Sequence, residues 1–118
     1  MKVKKEKSLE NDRGYLVEFP SKNYNMEQVN VLFSFANTIR GNHYHKLTEE
    51  FFYVIDGEVK VTLKNINTGE INKFTVNSKE SFNVIPYNYH TLEFTKDTHI
   101  LSFYSKEFDI NDTDIFTL

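Results

Sequence analysis

The chain has 118 residues, a formal net charge of −3 and no cysteine. That length fits one domain with a single core. The absence of cysteine excludes a disulfide framework and a thiolate zinc site, and suits a reducing, cytoplasmic setting. Both signs of charge are mixed along the chain, so there is no basic stripe of the kind that marks a nucleic-acid surface.

The segment from Lys2 to Lys7 is rich in lysine, but Glu6 interrupts it and no apolar run follows. It therefore reads as neither a signal peptide nor a membrane anchor. The expectation is a solvated tail over residues 1–12 and one domain over 13–118. Eleven Phe and seven Tyr favour strands and a sandwich interior.

From there the pattern is strand after strand. Tyr15–Phe19 is a short apolar segment, and Val29–Ala36 is a longer one. Glu50–Ile55 reads EFFYVI and is followed by Asp56-Gly57, the dipeptide of a tight hairpin turn. Glu58–Lys64 alternates, with Val59, Val61 and Leu63 on one face. Asn65–Gly69 forms a second turn, and strands follow over Glu70–Val76 and Ser81–Ile85, the latter closed by Pro86. In His90–Thr95, His90 shares a face with Leu92 and Phe94. Lys96-Asp97 turns the chain into His99–Tyr104. No helical period appears before Glu107. Short strands with frequent turn signals predict an all-β sandwich or barrel.

The chemistry concentrates in Arg40-Gly41-Asn42-His43-Tyr44-His45, followed by Glu49-Glu50 and Gly57. On a strand, residues two apart share a face, so His43 and His45 project together. Glu50 shares a face with Phe52 and Val54, and His90 with two apolar residues. Three imidazoles and a carboxylate thus have a common interior to converge in. Such ligands suit Fe, Mn, Ni, Cu or Zn and leave positions open for substrate or water. The other histidine, His99, reads as a partly buried, hydrogen-bonded strand residue.

These residues resemble the cupin superfamily. Four residues separate His45 from Glu50, and six separate Glu50 from Gly57. This spacing matches the first cupin motif and favours Glu50 over Glu49 as ligand. Pro86 and His90 match the second motif in kind. Asn37 and Asn88 stand where that pattern has glycine, and Phe94 stands where it has asparagine. Asn tolerates positive φ better than other non-glycine residues, so both glycine replacements are compatible with the pattern. The resemblance implies a double-stranded β-helix, the jelly-roll β-barrel, commonly as a homodimer. It also implies a divalent metal (Zn, Fe, Mn or Ni) at His43, His45, Glu50 and His90.

A narrower resemblance is to sugar-nucleotide cupins. It rests on Arg40-Gly41-x-His43-x-His45, on Asp12-Arg13-Gly14-Tyr15-Leu16-Val17, and on the ending Tyr104–Asp109. It implies a nucleotide-linked 4-keto-6-deoxy sugar as substrate and an isomerase or epimerase of polysaccharide biosynthesis. The reaction would move a proton beside the ketone. His43 is then the first candidate base, with His45 beside it. Arg40 would hold the diphosphate, and Tyr104 would return a proton. Two other readings fit the same ligands. One is a non-haem iron dioxygenase, and the other a cupin that binds a sugar without turnover.

Overall fold

The computed structural model describes residues 3–6, 8–19 and 25–118. Every regular element among them is a strand. In chain order these are β1 (Lys4–Lys5), β2 (Ser8–Asn11), β3 (Gly14–Val17), β4 (Gln28–Ser34), β5 (Thr38–His43), β6 (Glu50–Asp56), β7 (Glu58–Asn65), β8 (Ile71–Asn77), β9 (Glu80–Val84), β10 (Asn88–Phe94) and β11 (Thr98–Tyr104). No helix among the described residues is long and apolar enough to cross a membrane.

Two antiparallel sheets face each other, one in the order β1-β9-β6-β11-β4 and the other β5-β10-β7-β8. The chain changes sheet at most of its turns, which is the winding of a jelly roll. Asp56-Gly57 is one of these corners. It was expected to close a hairpin, but β6 pairs with β9 and β11 while β7 pairs with β8 and β10. Gly57 has φ 123°, and a Cβ there would lie 2.3 Å from Thr98 Oγ1. The glycine lets the corner press against the start of β11. The loop Asn65–Gly69 does close a hairpin, between β7 and β8.

The segment expected to be a solvated tail carries two strands. Lys4 and Lys5 extend the first sheet by pairing with Ser81 and Glu80. Ser8–Asn11 pairs with Gly14–Val17, so the boundary expected between residues 12 and 13 falls in the turn of a hairpin. Backbone pairing of this kind needs no apolar side chains, which is why composition alone did not reveal it. Tyr15–Phe19 is strand only to Val17, and Phe19 instead docks its ring on Phe51, Tyr53 and Phe103.

The core lies between the sheets. Val54, Val59, Val61, Val76 and Ile100 have no exposed surface, and Phe82, Phe94 and Leu63 are 1% exposed. Phe52 and Phe82 stack with ring centroids 4.8 Å apart. Side chains of this size each contribute about 1.5–3 kcal/mol when buried. The alternating faces of β7 and β10 point as their sequences predict, while β6 is buried on both faces from Glu50 to Val54. β4 is inverted. Its apolar residues Val29, Val31 and Phe33 are exposed, while Gln28, Asn30, Leu32 and Ser34 face the interior.

Candidate active site

At one end of the sandwich the apolar filling gives way to polar groups. Glu50 begins β6, His90 lies near the start of β10, His43 ends β5, and His45 follows two residues later. Each of the four offers one ligand atom, and all four atoms lie within 4.8 Å of one another. The His43 ring lies 4.5 Å from that of His90 and 5.0 Å from that of His45, centroid to centroid. Glu50, rather than Glu49, joins the group. Glu49 instead accepts a hydrogen bond from Asn83 Nδ2 at 2.7 Å.

A bulge makes this arrangement possible. Along β5 and β10, Leu92 pairs with Arg40, Thr91 with Gly41 and His90 with His43, which leaves Asn42 as the extra residue. Arg40 and His43 are three positions apart and would face opposite ways on a regular strand. The inserted residue places each of them opposite an inward-facing partner. Gly41 has φ 91° and Asn42 φ 58°. A Cβ on Gly41 would come within 2.6 Å of the His90 carbonyl oxygen. Asn37 also has positive φ, at 66°, as expected of a residue in a glycine position. Asn88 does not. In the second motif the left-handed residue is Tyr87, at φ 64°, one position earlier. Asn88 instead binds the turn through Nδ2, donating to the carbonyls of Ile85 and Pro86.

All three imidazoles are oriented by backbone carbonyls. His43 Nδ1 meets Gly41 O at 3.0 Å, His45 Nδ1 meets Asp114 O at 2.6 Å, and His90 Nδ1 meets Asn88 O at 3.1 Å. A carbonyl only accepts, so each Nδ1 carries the proton and each Nε2 is left for the centre. His45 Nε2 makes a short contact with Glu50 Oε1, and His90 Nε2 lies 3.5 Å from the same oxygen. Three Nε2 atoms with fixed tautomers and one carboxylate form a donor set that fits a divalent transition metal.

Without a metal the same contacts distribute charge unevenly. Burial, and then the nearby His90, hold His43 below the usual pKa of 6.5, so its ring is neutral at pH 7. Burial also works against charge on His45, but hydrogen bonds to Glu50 and to the Asp114 carbonyl outweigh it and raise its pKa. Burial would raise Glu50 too; hydrogen bonds from His45 and His90 overcome it and hold the carboxyl at about 2. Tyr104 lies opposite Glu50 in the ladder, and burial followed by the Glu50 charge pushes its hydroxyl up to about 12.

A cavity of about 310 Å³ opens beside this cluster, lined by Arg40, His43, Glu50, His90 and Tyr104 among others. Arg40 stands at its exposed edge. Its Nε donates to Ser34 Oγ, and Nη2 donates to the Phe33 carbonyl at 3.3 Å, tying β5 to β4. The candidate residues therefore share one site. His99 is apart from it and is exposed rather than partly buried, with its ring 4.7 Å from that of Phe33.

The C-terminal segment adds a group that sequence reading missed. Asp114 takes φ 52° and is 6% exposed. Its carboxylate accepts from the backbone N–H groups of Lys46, Leu47 and Thr48 and from the Thr48 hydroxyl. Burial would raise its pKa, and these four donors lower it instead. One residue thus holds both the loop after His45 and the His45 ring. Nothing in a lone Asp near the end of the chain signals that role. Asn30 and Ser102, which also line the cavity, were missed as well. Their signal was available, since each is a polar residue inside an apolar run.

The family model described as the polysaccharide biosynthesis C-terminal domain matches residues 9–116. No curated protein matches the chain. Among solved structures, the TDP complex of a double mutant of the 3,4-ketoisomerase QdtA from Thermoanaerobacterium thermosaccharolyticum is 23% identical. It superposes with a TM-score of 0.84, covering 99% of this chain and 86% of that one. The capsular polysaccharide assembling protein CapF from Staphylococcus aureus is 26% identical with a TM-score of 0.72; 96% of this chain matches 32% of CapF. The dTDP-4-dehydrorhamnose 3,5-epimerase from Sulfolobus tokodaii is 20% identical with a TM-score of 0.82, covering 94% of this chain and 73% of that one. These likenesses establish the cupin jelly-roll fold.

Proposed function

The chain belongs to the polysaccharide biosynthesis C-terminal domain family, and from that premise we propose that it is an isomerase or epimerase of a nucleotide-linked 4-keto-6-deoxy sugar. One observation carries the reading: a single cavity is lined by a neutral imidazole, a protonated tyrosine and a guanidinium. A single-site mutant of the 3,4-ketoisomerase QdtA, which shares the fold, is known in complex with TDP-4-keto-6-deoxyglucose.

In this reading Arg40 binds the diphosphate through Nη1 and the second N–H of Nη2, since Nε is engaged with Ser34 and the first N–H of Nη2 with the Phe33 carbonyl. His43 Nε2 takes the proton from the carbon beside the ketone. The C–H electron pair becomes a carbon–carbon double bond, and the ketone oxygen takes up the charge as an enediolate. Tyr104, fully protonated near neutral pH, gives its proton to carbon from the cavity wall, and the His43 imidazolium returns a proton to the phenolate. His45 and His90 hold Glu50 and shape the floor.

We also propose that His43, His45, Glu50 and His90 hold a divalent metal. Bound there, the metal would supply Lewis-acid stabilisation of the enediolate. The base and ligand roles compete for the same His43 Nε2, so metal content decides between them. A homodimer through the outer face of β4 completes the proposal. Val29, Val31 and Phe35 are 59%, 77% and 67% exposed on or just beyond that edge strand.

The test begins with metal analysis of tag-free protein purified without chelator, beside His45→Ala and His90→Ala. One metal per chain, lost in both variants, supports the four-ligand site. No metal, even after incubation with Zn, Fe, Mn or Ni salts, refutes it and leaves His43 as the base. Either form is then incubated with TDP-4-keto-6-deoxyglucose in deuterated water. Deuterium should appear at carbon beside the ketone, and His43→Ala should slow it by at least about 100-fold. Absence of exchange in both forms would overturn the enzyme assignment.

A further inference from the structure

Two polar atoms beside the site have no hydrogen-bond partner. Asn30 Nδ2 and Ser102 Oγ are both buried and unpaired, and both residues line the cavity that holds His43, Glu50 and His90. They are direct cross-strand partners on β4 and β11. Phe52 of β6 lies opposite Ser102 on its other side. Ser102 is only 4% exposed. Leu32, Phe52 and Leu92 supply the apolar wall around the pair.

The amide orientation follows from its other end. Asn30 Oδ1 already accepts from Gln28 Nε2 at 2.9 Å, so Nδ2 is the free end. A buried N–H and a buried O–H left without acceptors are both costly. An apolar pair would fill these positions more cheaply, so their retention points to an acceptor that arrives with a ligand. Phe52, Ser102 and Asn30 form the middle of three inward-facing rungs. Above it lie Glu50, Tyr104 and Gln28, and below it Val54, Ile100 and Leu32. The step between rungs is two residues, or about 7 Å, the scale of one pyranose ring. No lysine or arginine belongs to the rung, and Arg40 sits apart on β5. A neutral oxygen therefore suits the pair better than a phosphate.

We propose that Asn30 Nδ2 and Ser102 Oγ form a two-donor subsite for one oxygen of the hexose, a hydroxyl or carbonyl one ring-width from the reacting carbon. The subsite selects sugars that carry an oxygen at that position. The inference rests on the nucleotide-sugar reading above, and the experiment separates the two.

TDP-glucose and TDP are titrated by calorimetry into wild type, Ser102→Ala and Asn30→Ala, with thermal melting of each free protein. Both variants should lose about tenfold in affinity for TDP-glucose and bind TDP alone as wild type does. Ser102→Ala should melt no lower than wild type, because the hydroxyl has no partner to lose. Wild-type ratios of TDP-glucose to TDP affinity in both variants would overturn the subsite while leaving the enzyme reading intact. A lower melting temperature for Ser102→Ala would overturn it too, by assigning the hydroxyl a structural bond. If wild type gains no affinity from the glucosyl group, the nucleotide-sugar reading falls and the subsite with it.

Discussion

Replacing Glu50 with Gln tests the electrostatics of the site most directly. The side chain is 4% exposed and carries its charge between two imidazoles. Depression of its pKa from 4.5 to about 2 means that folding favours the carboxylate. At about 1.4 kcal/mol per pH unit, this is worth about 3 kcal/mol. The sign follows from linkage: the stabilisation is fully present above pH 4.5 and is lost as pH falls towards 2. Glu50→Gln keeps the shape and removes the charge. In chelator-treated protein at pH 7 it should cost about 3 kcal/mol, or roughly 10 °C in melting temperature for a domain of this size. The difference from wild type should then narrow as both are titrated from pH 4.5 towards 2. The assay is urea unfolding across that range. A cost below about 1 kcal/mol at pH 7, or one that does not change with pH, would refute the account of a net-favourable buried carboxylate.

Two further substitutions test the scaffold. Gly41→Ala adds a Cβ at φ 91°, 2.6 Å from the His90 carbonyl oxygen. It should cost about 2 kcal/mol or more and disturb both His43 and His90, which thermal melting and metal titration would register together. Unchanged stability and metal affinity would mean that the bulge does not need glycine. Asp114→Ala removes the acceptor for three backbone N–H groups and the Thr48 hydroxyl. A loss of about 2–3 kcal/mol is expected. Hydrogen exchange should quicken at residues 46–48 while the core strands stay protected. Uniform loss of protection would instead make the segment part of the global fold.

Much of this protein is legible in its sequence because the relevant information is local. Strict alternation in β7 and β10 predicts which side chains are buried, since a strand has a period of two. The spacing of His43, His45, Glu50 and Gly57 marks three of the four residues that the structure brings together. Asn37 in a glycine position signals a left-handed turn, and the chain turns that way there. What local pattern does not carry is pairing. Asp56-Gly57 has the residues of a hairpin, yet its strands part into different sheets, because β6 pairs with the distant β9 and β11 while β7 pairs with β8 and β10. In β4 Val29, Val31 and Phe33 point outward while Gln28, Asn30 and Ser34 point inward with Leu32, a choice made by the cavity the strand borders and not by its own hydropathy. Asp114 reaches His45 across 69 positions, and Asn30 meets Ser102 across two strands far apart in the chain. Residue type and short spacing determined the chemistry available to this protein. Only the closure of the two sheets decided which of those groups face one another, because backbone hydrogen bonds between distant strands set the register and leave no trace in either strand alone.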